Sequence, residues 1–126
     1  MILTSERAAL DVMKRHIEAL NALDGNSLAQ TLHFPHYRLV GSKLDLWSEK
    51  ENYLADFRKR AGEQWAQSKW ESIDVQESSS DKVHLLVQVV RFDNNDTVIA
   101  KFRSLWVTTL QEQKWAAQFR SSFATA

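Results

Sequence analysis

The 126-residue chain contains no cysteine, which excludes disulfides, thiolate nucleophiles and thiolate metal sites and is compatible with a reducing cytosol. It has no excess of charge either: sixteen Lys and Arg balance sixteen Asp and Glu, and no block of like charges interrupts the sequence. Neither a nucleic-acid stripe nor a polybasic membrane patch is therefore expected. No run approaches the roughly 20 apolar residues that a membrane span requires, and the first residues, Met1-Ile2-Leu3-Thr4-Ser5-Glu6-Arg7, lack the basic-then-apolar order of a signal peptide. The expectation is a cytoplasmic protein with no nucleic-acid and no membrane partner. Internal repeats and low-complexity segments are also missing, and one proline and three glycines punctuate the chain.

What is present is apolar. Hydrophobic residues make up 44% of the chain, with five Trp and six Phe, enough to bury the core of one domain spanning residues 1–126. From Ser5 to Leu23 the positions Ala9, Val12, Met13, Ile17, Leu20 and Leu23 recur at spacings of three and four, as on an amphipathic helix laid on a core. Asp24-Gly25-Asn26 breaks it, and Asp24 or Asn26 can cap a short second helix reaching about Leu32, stopped by Pro35. Two short strands, residues 36–40 and 44–47, flank the Gly41-Ser42 turn. Ser48 and Glu51 have capping-box spacing and start a third helix, with Tyr53, Leu54, Phe57 and Ala61 facing inward and Gly62 as its stop.

Beyond that point the apolar period becomes two. Strands are expected over residues 67–77, 83–92, 97–110 and 114–123, the last three following one another as a meander. The order is α-α-β-β-α-β-β-β-β. Residues 83–92 are apolar at nearly every position apart from His84, Gln88 and Arg91, so both faces of that strand are expected to be covered. Helices cover one face, and a second copy of the chain covers the other, which predicts a homodimer through the sheet.

With these elements placed, the chain resembles the nuclear transport factor 2-like (NTF2-like) superfamily, and within it the stand-alone bacterial proteins grouped with the polyketide-cyclase (SnoaL-like) and ketosteroid-isomerase branches. The resemblance runs from about Ser5 to Phe123. It is carried by the helix-to-strand junction at residues 32–39, containing His33-Phe34-Pro35-His36-Tyr37-Arg38, and by the ending Ser104-Leu105-Trp106-Val107-Thr108-Thr109, Lys114-Trp115 and Arg120-Ser121-Ser122-Phe123-Ala124. It implies an α+β fold of the cystatin-like kind, a cone-shaped curved antiparallel sheet closed by three helices around a pocket. The isomerase mechanism of that branch does not carry over. Its catalytic carboxylate would fall at about His33 or Phe34, where no acid stands; residues 83–92 and 97–110 contain no Asp or Glu, and the first helix has no Tyr.

The candidate chemistry follows from residue types. His33 and His36 are three apart, but Pro35 keeps the backbone between them extended and no third ligand is tied to them, so no metal and no cofactor are expected. A pocket histidine near its unperturbed pKa of about 6.5 is the best general acid or base the chain offers, and His33, His36 and Tyr53 are the catalytic candidates. Arg38, Arg91, Arg103 and Arg120 lie in strands, where an inward guanidinium must meet an anion; Arg38 and Arg103 are the preferred pocket members. If the helices close over the sheet as the resemblance implies, Trp47, Tyr53, Phe57, Trp70, Phe102 and Trp106 form an aromatic wall. His16, one turn beyond Val12, borders the core as a structural histidine. Ser121 and Ser122 lack a His-plus-acid pattern, which excludes a hydrolytic triad. The expected function is binding of a small, largely apolar ligand with a polar or anionic end. The alternatives are an isomerase, dehydratase or cyclase using a pocket histidine, and a dimeric interaction module without a pocket.

Overall fold

The computed structural model describes residues 4–60 and 64–124. Its elements are α1 (Thr4–Asn21), α2 (Gly25–Gln30), β1 (Leu32–Val40), β2 (Lys43–Trp47), α3 (Lys50–Arg60), β3 (Gln67–Ser78), β4 (Lys82–Phe92), β5 (Val98–Gln111) and β6 (Lys114–Ser122). The three-four spacing of α1 buries Ala9, Val12, Met13, His16 and Ala19 against the sheet. At its end Leu23 turns into the left-handed region (φ 56°). The Leu23 N–H reaches the Leu20 carbonyl (3.1 Å) and the Asp24 N–H that of Ala19 (3.0 Å), a Schellman closure. Asp24 then caps α2, accepting from the Ser27 hydroxyl (2.6 Å) and N–H (3.2 Å), which holds its carboxyl below the ordinary value.

Two junctions differ from the sequence reading. The second helix ends at Gln30, with Thr31 as its C-cap, so Pro35 does not stop it. Pro35 lies inside β1, in the stretch between Leu32 and Tyr37 where the register to β6 shifts, a place where a strand tolerates a missing N–H. At α3 the Ser48 hydroxyl bonds Asn52 (3.1 Å) and the Glu49 carbonyl accepts from the Tyr53 N–H (3.3 Å), so the helix begins at Lys50. No bond closes a Ser48–Glu51 capping box among the described residues. The expected stop at Ala61 and Gly62 lies outside them.

The strands form one sheet in the order β2-β1-β6-β5-β4-β3, curved and unclosed. The meander β3-β4-β5-β6 is antiparallel throughout. The join between β1 and β6 is parallel, so the sheet is mixed. A parallel join requires a long crossover, and here α3 and the whole meander supply it. All three helices pack on one face, above Val83, Leu85, Val87 and Val89 of β4, Trp106 of β5 and Ala117 of β6. No helix among the described residues is long and apolar enough to cross a membrane.

Candidate ligand-binding site

Between α1, α3 and the concave face of the sheet lies a cavity of about 560 Å³, within the range of small-molecule sites. Alternation along β5 sends Phe102, Ser104 and Trp106 into it, while α1 contributes His16, Ile17 and Leu20 and α3 contributes Tyr53, Asp56 and Phe57. The aromatic rings brace one another edge to face, Trp70 on Trp106 at 5.6 Å and Trp47 on Tyr53 at 5.3 Å, with Tyr53 stacked on Phe57 at 6.4 Å. Three indole N–H groups find acceptors: Trp47 donates to Asp56, Trp65 to the Ser68 hydroxyl and Trp70 to the Met13 carbonyl, each at 2.8 Å. Trp106 is the contrast. Its indole N–H is buried with no acceptor among the described residues, a cost of about 1–3 kcal/mol that a ligand oxygen would offset.

The polar lining is predominantly cationic. Among the described residues it includes Arg38, Lys43, Lys59, Arg91 and Arg120 and the carboxylates of Asp45 and Asp56. Arg38 and Arg120 are register partners on the neighbouring strands β1 and β6, and Arg120 in turn pairs with Trp106, its guanidinium 5.0 Å from the indole centre. Asp45 accepts from Arg38 at 3.4 Å and stands 3.7 Å from the Lys43 ammonium. Arg91 is half-buried, and among the described residues no carboxylate comes within ion-pair distance of it. Its burial pushes the guanidinium below its ordinary pKa.

The histidines are distributed differently from the sequence expectation. Neither His33 nor His36 lines the cavity. His33 donates from Nε2 to the Thr109 carbonyl (2.9 Å), and the fully buried His36 donates from Nδ1 to the Ala117 carbonyl (3.1 Å), its ring against those of Trp47 and Tyr53. The irregular start of β1 turns both rings to the backbone of the meander. The cavity histidine is His16. The single hydroxyl proton of Thr31 is donated to the Leu28 carbonyl (2.7 Å), so the 2.7 Å contact to His16 requires Nδ1–H to be the donor. A neutral His16 ring then has its acceptor at Nε2. Its place on the buried stripe with Ala9, Val12 and Met13 was the sequence signal that could have found it.

Of the other expected site residues, Arg38, Trp47, Tyr53, Phe57, Trp70 and Trp106 line the cavity, and Arg103 does not. Arg103 is exposed on the opposite face across from Gln88, because the inward position of β5 is the next one, Ser104. No group of three or more His, Asp or Glu suited to a metal ion occurs among the described residues.

No family model matches the sequence, and comparison with curated proteins finds no match. Solved structures do match. A protein of unknown function with a cystatin-like fold from Nostoc punctiforme superimposes with a TM-score of 0.80 at 11% identity, over 98% of this chain and 94% of that one. An NTF2-like protein from Cytophaga hutchinsonii gives 0.75 at 19% identity over 98% and 100%. A ketosteroid isomerase-like protein from Erwinia carotovora atroseptica gives 0.76 at 11% identity over 99% of each chain. The chain therefore has the cystatin-like, NTF2-like fold, and at these identities the likeness is one of fold.

Proposed function

We propose that this protein binds a small, largely apolar molecule with an anionic end in the cavity beneath α1 and α3. The observation that carries this reading is an aromatic-walled space lined by the half-buried Arg91, which among the described residues has no carboxylate in ion-pair range. A guanidinium removed from water is stabilised by an anion, and the buried Trp106 N–H supplies a donor for an oxygen. The volume argues against a core filled throughout by its aromatic residues, as an interaction module without a pocket would have. A panel of aryl and alkyl carboxylates, with the matching amides as neutral controls, should raise the melting temperature and quench tryptophan fluorescence. Arg91→Gln should weaken the carboxylates by about tenfold and leave the amides unchanged. Equal binding of acids and amides, or no response to any of them, would reject an anionic ligand end.

One observation favours a second reading, proton-transfer chemistry of the isomerase, dehydratase or cyclase kind. His16 is the histidine of the cavity lining, and its Nδ1–H is held by the Thr31 hydroxyl at 2.7 Å, which fixes the ring's tautomer and orientation there. Fold alone does not select an activity. Deuterium exchange at the α-carbon of a bound keto acid, abolished in His16→Gln while binding persists, would establish this reading; exchange that survives the substitution would eliminate it.

We also propose that a second copy of the chain covers the outer face of the sheet. Tyr37, Leu39, Leu44, Leu46 and Phe119 form an apolar stripe there, linked by strand register, with Leu44 and Leu46 57% and 56% exposed. The flanking positions Lys69, Glu71, Lys101 and Arg103 carry both signs of charge, which suits self-complementary pairing about a two-fold axis.

A further inference from the structure

Resting on the reading of the cavity as a site for an anionic ligand end, we propose that the ligand is an aryl carboxylate with a second oxygen on the far side of its ring. Three successive rows of inward side chains on the meander carry this assignment. The first row pairs Arg91 of β4 with Ser68 of β3, and both line the cavity. Register partners of an antiparallel pair point to the same face, so the guanidinium and the hydroxyl stand side by side. The buried Ser68 Oγ accepts the Trp65 indole N–H at 2.8 Å, and its own proton has no acceptor among the described residues. A planar cationic donor beside a hydroxyl donor suits a carboxylate. The carboxylates of the cavity lining stand elsewhere: Asp45 is on β2, four strands away in the sheet, and Asp56 on α3 accepts from the Trp47 indole.

The second row is Trp70, Val89 and Phe102, register neighbours on β3, β4 and β5 that all line the cavity. Its one polar side-chain atom, the Trp70 indole nitrogen, is already bonded to the Met13 carbonyl. This row offers apolar and aromatic surface alone, a seat for an aryl body. In the third row Ser104 of β5 faces Ser122 of β6, also in the cavity lining, and their buried hydroxyls are 2.8 Å apart. The bond between them uses one proton, and the Ala124 N–H donates to the Ser122 Oγ at 3.2 Å without using the other. One hydroxyl proton of the pair therefore has no acceptor among the described residues, and a ligand oxygen would supply one. Along β5 the first and third rows lie four residues apart, Ala100 to Ser104, about 13 Å of extended strand that the curvature of the sheet shortens. The chemical class that fits is a hydroxyaryl carboxylate with the two oxygen groups at opposite ends of the ring.

The test is calorimetric titration of the purified protein with para-hydroxybenzoate, para-hydroxyphenylacetate and para-hydroxyphenylpropionate, each beside the acid in which a methyl group replaces the phenolic hydroxyl. At the best-fitting length the hydroxy acid should bind at least about fivefold tighter than its methyl counterpart. The double variant Ser104→Ala/Ser122→Ala should abolish that preference and leave the methyl acid unchanged. Arg91→Gln and Ser68→Ala should instead weaken both acids alike, by about tenfold and about fivefold, with the preference intact. If the double variant fails to fold, the comparison of hydroxy with methyl acids on the wild-type protein decides. Methyl acids as tight as hydroxy acids at every length, a preference that persists in the double variant, or affinities unmoved by Ser68→Ala would each overturn the three-row assignment while leaving single-anion binding standing. Acids that bind no better than the matching amides, or not at all, would remove the anion-site reading on which it rests.

Discussion

Leu23 occupies the left-handed region at φ 56°, a conformation that costs an L side chain about 1–2 kcal/mol, in order to close α1 onto Ala19 and Leu20. Its side chain is 59% exposed and offers little packing in return. Leu23→Gly should therefore stabilise the protein by roughly 0.5–1 kcal/mol, the relief of strain exceeding the added entropy of the unfolded chain. The reading is a higher urea midpoint at unchanged slope; a lower midpoint would mean that the leucine contributes packing after all. The Asp24 cap beside it was legible in the sequence, because Asp before a helical run has a local reason to be there. The turn at Leu23 was not, because leucine has no preference for positive φ and takes it only where the two flanking helices must both be satisfied. His16 belongs to the same scale. Its helical face was readable, whereas its tautomer depends on Thr31, fifteen residues away.

At the scale of elements, α1 is positioned by more than its apolar stripe. The Asn21 side chain donates to the Ser68 carbonyl (2.9 Å) and accepts from the Ser68 N–H (2.8 Å), and the Trp70 indole donates to the Met13 carbonyl (2.8 Å). These contacts fix the helix over the start of β3, where Ser68 is the register partner of Arg91. Asn21→Ala removes a two-bond clamp and leaves the Ser68 amide without its partner, at a cost of about 1–3 kcal/mol. Hydrogen exchange should accelerate at the start of β3 and remain unchanged in β5; uniform acceleration over the sheet would show global destabilisation with no local clamp. The element order and the meander were readable from period and turn residues. The junction between α2 and β1 was not, since Pro35 has the same local signature whether it ends a helix or sits at an irregularity of a strand.

For the whole molecule, the apolar character of β4 raised the question of what covers each face. The inward residues lie beneath the helices, while on the outer face Val90 is 5% exposed between Lys69 and Lys101, its register partners. Lys101 reaches Glu71 across β4 at 3.5 Å, so part of that face is covered by the chain's own side chains. The stripe on β1, β2 and β6 remains open. Light scattering should accordingly give twice the 14.6 kDa chain mass, and Leu46→Asp should return it to the single-chain value without loss of the far-UV circular dichroism. A wild-type mass of one chain at high concentration would dismiss the two-fold partner.

Residue order by itself determined the kinds of element, their succession, the amphipathic face of α1 and the aromatic set, because periodicity, capping and turn chemistry are local, and the cystatin-like class of fold followed from the resemblance that those elements carry. Only the tertiary structure decided which charged and titratable groups share the cavity. The choice between Arg103 and its inward neighbours turns on a one-residue alternation, and the choice among His16, His33 and His36 turns on which backbone carbonyls and hydroxyls the folded chain brings within reach. Alternation inverts with each single residue and hydrogen-bond partners come from distant strands, so both are properties of register and packing, which no local stretch of sequence contains.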